Sequence, residues 1–106
     1  NHAIGVWSSP VRVGDNPLAT DTHGAPALFI DGGGYIHVIY GGHTSTQRHV
    51  RSRAPNSIAS WMSFSAIPDG TYPQVVQLSP SDIELFFRNS AMDWVSIRSR
   101  DGGQTW

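Results

Sequence analysis

From Pro26 onward, short apolar runs alternate with clusters of Gly, Ser, Asp and Pro, and no window sustains the 3.6-residue period of a helix. A run opening at Pro26 reaches the Gly32-Gly33-Gly34 turn and returns as Tyr35 to Tyr40. Further strands are predicted from Arg48 to Arg53 and from Trp61 to Ile67. The pattern recurs forty-seven residues on, with a run opening at Pro73, a turn at Ser79-Pro80-Ser81, a return from Asp82 to Phe87 and a third strand from Asp93 to Ser99. Trp7 to Val13, also led by Trp, reads as the last strand of a preceding unit. The chain is therefore expected to be all-β, in antiparallel units of four strands. One full unit covers 26–67, most of the next covers 73–106, and one strand of an earlier unit lies at 7–13.

Apolar side chains fall on both parities of Ile36, Val38, Ile39 and Tyr40, and again of Ile83, Leu85, Phe86 and Phe87. Strands of that kind need cover on both faces. Two units alone would leave outer faces bare, and the chain does not begin with Met, so it reads as part of a longer protein whose other units are its structural partners.

Composition narrows the function. Only 14% of the 106 residues are charged, all seven basic residues are Arg, and the net charge is −1, so no long-range field favours nucleic acid or an anionic membrane. No apolar run approaches membrane-spanning length. The absence of Cys excludes disulfides and thiolate metal sites. Asn1 to Gly5 has neither a basic start nor an apolar core, so no signal peptide is expected in this segment.

Candidate chemistry emerges from strand register. A hairpin centred on Gly33 pairs Pro26 with Tyr40 and brings His23 opposite His43. A hairpin centred on Pro80 sets Tyr72 opposite Arg88. Because the strands alternate in direction, all four belong to one rim. Two imidazoles, a phenol and a guanidinium there suit proton transfer on an anionic substrate, since imidazole titrates near neutrality and guanidinium grips a carboxylate in a fixed fork. Arg98, on the same unit as Arg88, is a second candidate for binding the anion. Arg51, Arg53 and Arg100 recur at equivalent positions and read as structural. His37, between apolar neighbours, is expected to pack within its unit, and His2 and His49 have no assigned role. Asp21 beside the two histidines offers a carboxylate for a metal, but no third His or Cys stands at a metal-motif spacing, so neither metal nor cofactor is expected.

The chain ends in Ser99-Arg100-Asp101-Gly102-Gly103-Gln104-Thr105-Trp106, the S-x-D-x-G-x-T-W pattern called an Asp-box. Its logic is structural. Asp101 is expected to accept hydrogen bonds from the Gly102-Gly103 turn, with Ser99, Gly103 and Thr105 completing the motif and Trp106 anchoring the next strand. With the four-stranded repeat, it makes the chain resemble the BNR-repeat (Asp-box) β-propellers, of which it would hold about two blades.

The stretch THGAPALFIDGGGYIHVIYGGH, together with Ser60-Trp61, Thr71-Tyr72-Pro73 and Leu85-Phe86-Phe87-Arg88, is similar to the branch that includes polysaccharide lyases of the ulvan-lyase type. That branch has a His before strand one and another after strand two, matched by His23 and His43. The resemblance implies β-elimination at a uronic acid. Arg88 or Arg98 would neutralise the sugar carboxylate, His23 and His43 would transfer protons, and Tyr72 would be a second proton donor. It also implies a polysaccharide or oligosaccharide substrate and an extracellular or periplasmic location. Gly24 stands where the lyase pattern has Asn, and Phe87 where relatives carry Tyr.

Two other functions use the same architecture. A sialidase-like hydrolase needs an Arg-Ile-Pro element and a Glu partner for a Tyr nucleophile, but the chain has no such element and its sole Glu, Glu84, lies within a strand. A non-catalytic glycan-binding propeller needs only aromatic and polar rim residues, and predicts binding that survives loss of either histidine.

Overall fold

The structure, a computed structural model, describes residues 5–18 and 20–106. Eight strands occur among them, with no helix: β1 (Ala27–Ile30), β2 (Ile36–Tyr40), β3 (Ser45–Thr46), β4 (Arg48–Ser52), β5 (Trp61–Ser63), β6 (Asp69–Gln77), β7 (Ile83–Arg88) and β8 (Trp94–Ser99). They form two four-stranded antiparallel sheets, ordered β1-β2-β4-β5 and β3-β6-β7-β8.

The first hairpin has the expected register, with Ala27 opposite Ile39 and Ile30 opposite Ile36 about a turn centred on Gly33. Asp31 shapes that turn by accepting hydrogen bonds from the backbone N–H groups of Gly33 (2.8 Å) and Tyr35 (3.0 Å). The second hairpin keeps its expected register from Gln74 to Gln77, and then a bulge between Thr71 and Gln74 shifts the pairing. Arg88 consequently faces Thr71 rather than Tyr72, which corrects the sequence expectation. Pro73 is the physical reason: it has no N–H to give the ladder, and proline inside a sheet is confined to edges and bulges.

Three other expectations change. The run from Trp61 to Ile67 is a strand only as far as Ser63, because Ile67 turns away to pack, 5% exposed, in the core between the sheets. The run from Trp7 to Val13 joins no ladder among the described residues, although Val13 packs with Val38, Tyr40 and Val50 on the outer face of the first sheet. The second sheet gains an unforeseen member, since Ser45 and Thr46 leave the first unit to pair with Gly70 and Asp69. Two glycines make this approach possible: a Cβ on Gly42 would collide with the Gly70 carbonyl, and one on Gly70 would collide with the Phe87 ring.

The main core, formed by Phe29, Ile39, Ile67, Ile83, Leu85 and Phe87, is shared by the sheets. Each fully buried aliphatic side chain there contributes roughly 1.5–3 kcal/mol. On the far face of the second sheet Val76, Phe86 and Trp94 are exposed, so this sheet is covered on one face only among the described residues.

The turn after β8 differs in detail from expectation. Asp101 accepts from the N–H groups of Gln104 (3.0 Å) and Thr105 (2.9 Å) and from the Thr105 hydroxyl (2.6 Å), while the Gly103 N–H goes to Ser99 Oγ (2.8 Å). Gly102 and Gly103 have φ of 73° and 87°, so their own N–H groups point elsewhere and the carboxylate is reached by the two residues beyond. Hydrogen bonding from the Thr105 hydroxyl, then from its backbone, lowers the Asp101 pKa to about 2. Trp106 belongs to no strand; it packs edge-on to Phe29 and donates through Nε1 to Ser65 Oγ (3.2 Å).

Candidate active site

At the end of the sheets opposite the Asp31 turn, the segment before β1 and the loop after β2 come together. Asp21 opens a tight Asx turn in which its Oδ1 accepts from the backbone N–H of His23 (2.8 Å) and contacts His23 Nδ1. Its other oxygen receives His43 Nδ1 at 2.6 Å from across the hairpin. The two imidazoles stack at 4.1 Å between centroids, 16° from parallel. The facing pair expected from register is thus present, and a carboxylate that sequence reasoning considered only as a metal ligand holds both rings. The backbone N–H of His23, followed by its ring, lowers the Asp21 pKa to about 2, so this carboxylate is ionised throughout the neutral range. With each Nδ1 committed to Asp21, Nε2 of each ring is the nitrogen available for proton transfer.

Tyr72 lies beside this pair, its ring 5.4 Å from that of His23. It has a φ of 57°, in the left-handed region that a residue before proline adopts only at a cost of order 1–3 kcal/mol. The bulge re-aims its side chain towards the histidines. Buried Thr71 secures the arrangement by accepting, through Oγ1, a hydrogen bond from the Thr44 N–H (2.8 Å). This bond ties the His43 loop to the strand that carries Tyr72. Arg88 extends over the Tyr72 ring at 5.1 Å, with its buried Nε unpartnered among the described residues. A guanidinium of that kind has donor capacity left for a substrate carboxylate.

Arg98 does not join this group. It sits opposite Glu84, four residues along the ladder from the Arg88–Trp94 rung, or about 13 Å at the usual strand rise. Its guanidinium is held by Asp82 in a two-pronged ion pair, with Nε and Nη2 contacts of 2.6 and 2.5 Å. Phe87 is buried between the sheets at 2% exposure, its ring against Gly70. Beside Gly24, the Asn16 amide lies 3.5 Å from where a Cβ would be, in the space a longer side chain at that position would enter.

The donor atoms of Asp21, His23 and His43 all lie within 4.8 Å of one another, a spacing that a divalent cation could bridge. A cation there would have to displace both Asp21–imidazole hydrogen bonds.

A second histidine pair went unrecognised in the sequence. Buried His37, expected to pack with a polar partner, joins Nδ1 to Nε2 of buried His49 at 2.9 Å, and its other nitrogen contacts Asp31 at 3.2 Å. His49 Nδ1 meets Ser65 Oγ (3.0 Å), which donates to the Gly103 carbonyl (2.6 Å). This relay fastens the sheets at the end remote from His23 and His43. His2 lies outside the described residues.

Comparison with known proteins places these features in context. The chain is 36% identical, over a 131-residue alignment covering all of it, to Ulvan Lyase-PL25 of Pseudoalteromonas sp. (strain PLSV) and likewise to an ulvan lyase of Alteromonas sp. (strain LOR). An ulvan lyase of Nonlabens ulvanivorans is 31% identical. The chain spans only 27–28% of the length of these relatives. A solved polysaccharide lyase PL25 ulvan lyase superposes with a TM-score of 0.86 at 35% identity, covering 99% of this chain and 30% of that one. A structure of such a lyase bound to -[GlcA(1-4)Rha3S]- gives 0.84. These matches make the two sheets part of a propeller-type fold. Residues 6–105 match the family model described as BNR repeat-containing family member, and the chain belongs to the BNR repeat-containing family.

Proposed function

We propose that the protein containing this segment is a polysaccharide lyase of the ulvan type, which cleaves a uronic-acid-containing glycan by β-elimination. The observation that carries this reading is the pair of stacked imidazoles held by one carboxylate, with Tyr72 and Arg88 alongside. Arg88 neutralises the uronate carboxylate, which stabilises the negative charge that develops when the C5 proton leaves. One imidazole of the His23–His43 pair removes that proton. The electron pair forms the C4–C5 double bond and expels the C4 oxygen, which takes a proton from the other imidazole or from Tyr72. The products are an unsaturated uronate and a new hydroxyl end, so atoms and charge balance without a redox partner or cofactor.

The relatives are ulvan lyases, and one solved structure holds a repeat of glucuronic acid and sulfated rhamnose. A glycan of that class fits a site in which the Arg88 guanidinium keeps an unpartnered Nε among the described residues. A protein acting on such a polymer would work outside the cell or in the periplasm, and the Ser99–Trp106 turn would serve as an Asp-box that fixes blade geometry rather than chemistry.

The test is near-ultraviolet absorbance during incubation of the parent protein with ulvan, alginate, pectate and glycosaminoglycans. Growth of absorbance with ulvan, from the conjugated double bond, is expected. A folded protein that produces none with any of the four would overturn the lyase reading in favour of a glycan-binding propeller.

A further inference from the structure

The row of rings does not end at Tyr72. Trp94, the first residue of β8, faces Arg88 in the ladder, and its indole stacks on Tyr72 with centroids 6.3 Å apart and planes 22° from parallel. His43, His23, Tyr72 and Trp94 therefore form a continuous series of rings, with Arg88 beside its last two members. The first three carry groups for proton transfer. Trp94 carries none; it opens β8 at the same end of the sheet as Arg88 and lays its flat ring beside that of Tyr72.

We propose that Trp94 is a sugar-stacking platform, forming a carbohydrate subsite next to the reaction centre. It would take the sugar adjoining the uronate in the glycan chain. The chemistry of a pyranose supports this role. One face of the ring presents axial C–H groups, which pack on the flat, electron-rich face of an indole, while the equatorial hydroxyls remain hydrated at the edge. A platform displaced from Arg88 and Tyr72 lies beside the uronate position, so it contacts a neighbouring residue of the polymer. The energy gained there holds the chain in register for the histidines without touching the reacting atoms, and so it appears chiefly in substrate binding.

This proposal rests on the lyase reading for the identity of the glycan, but it can be tested separately. A tetrasaccharide of the -[GlcA(1-4)Rha3S]- repeat is titrated by calorimetry into the full-length protein carrying His43→Ala, with and without Trp94→Ala. Loss of the platform is expected to weaken binding about tenfold. In the otherwise wild-type protein, Trp94→Ala is expected to raise KM by a similar factor with kcat within about twofold. Trp94→Leu, which keeps an apolar side chain without a flat face, should behave as Trp94→Ala does. Protection of Trp94 from N-bromosuccinimide by the tetrasaccharide, read by mass spectrometry on unsubstituted protein, needs no variant to fold. Equal affinity with and without Trp94, or equal oxidation with and without sugar, would overturn the platform even if the protein proves to be a lyase. Protection and Trp94-dependent binding in a protein with no turnover would uphold the platform and remove the lyase reading.

Discussion

Asp21 Oδ2 accepts a hydrogen bond from His43 Nδ1 at 2.6 Å, joining residues 22 apart in sequence through the same carboxylate that contacts His23. One ionised group thus orients both imidazoles and offsets a positive charge on either. Replacing it with Asn removes the charge while leaving an amide oxygen that can serve only one ring well. Asp21→Asn is expected to lower kcat by about ten- to a hundredfold with a smaller change in KM, since the substrate is not touched directly. A variant with unimpaired kcat on ulvan would show that the histidines orient themselves.

The two arginines of the second sheet separate binding from structure. Among the described residues Arg88 keeps a buried, unpartnered Nε beside Tyr72, whereas Arg98 is already clamped by Asp82. Arg88→Lys retains the charge but loses the planar fork, and kcat/KM on a uronate polymer is expected to fall about a hundredfold or more. Arg98→Gln should leave kcat/KM within about twofold and change stability little, because the ion pair is part-exposed and screened by solvent. Equal losses in both variants would mean that substrate binding extends to both ends of the strand.

Thr71 contributes through geometry alone. Its hydroxyl accepts from the Thr44 N–H at 2.8 Å, and both Thr44 and Tyr72 occupy positive φ, at 51° and 57°. Thr71→Val has nearly the same shape but orphans the Thr44 N–H, which should relax the His43 loop relative to Tyr72. A several-fold fall in kcat is expected, and Thr71→Ser, which keeps the acceptor, should restore most of it. If Val and Ser variants behave alike, the bond does not position the rim.

The sequence disclosed as much of this as short-range periodicity can carry. The hairpin about Gly33 has a single symmetric turn, so pairing could be counted outward to place His23 against His43. Counting failed in the second hairpin because a bulge changes register by a residue, and Thr71-Tyr72-Pro73 shows only that a ladder bond must be missing. The apolar pattern assigned β2 and β7 correctly but not β3, whose Ser and Thr pair through backbone across units and carry no hydrophobic signal. Asp21 was visible only as a carboxylate beside two histidines, and its grip on both rings depends on tertiary closure. Trp94 had no periodic or motif context that distinguished a rim aromatic from a strand residue, and His49 gave no hint of His37 until β2 and β4 were paired.

The buried pair sets an acid limit on the fold. Burial, reinforced by the neighbouring His37 and by Arg51, lowers the His49 pKa from 6.5 to about 3, and burial also lowers that of His37 against the opposing pull of Asp31. Ser65 gives its proton to the Gly103 carbonyl and therefore accepts from His49 Nδ1–H, which leaves His49 Nε2 to accept from His37. An unfolded His49 binds a proton near pH 6.5 whereas the folded one resists until about 3, so its contribution is complete above 6.5 and is lost as pH falls between those values. The loss is about 1.4 kcal/mol per pH unit for this one group. The thermal midpoint of the parent protein is expected to fall from pH 7 to pH 4.5. His49→Gln, which has no titrating proton, should be less stable at pH 7 and show a shallower decline. Parallel declines in the two proteins would place the acid sensitivity in the carboxylates instead, and would mean that His49 gains its proton in the folded state as readily as in the unfolded chain.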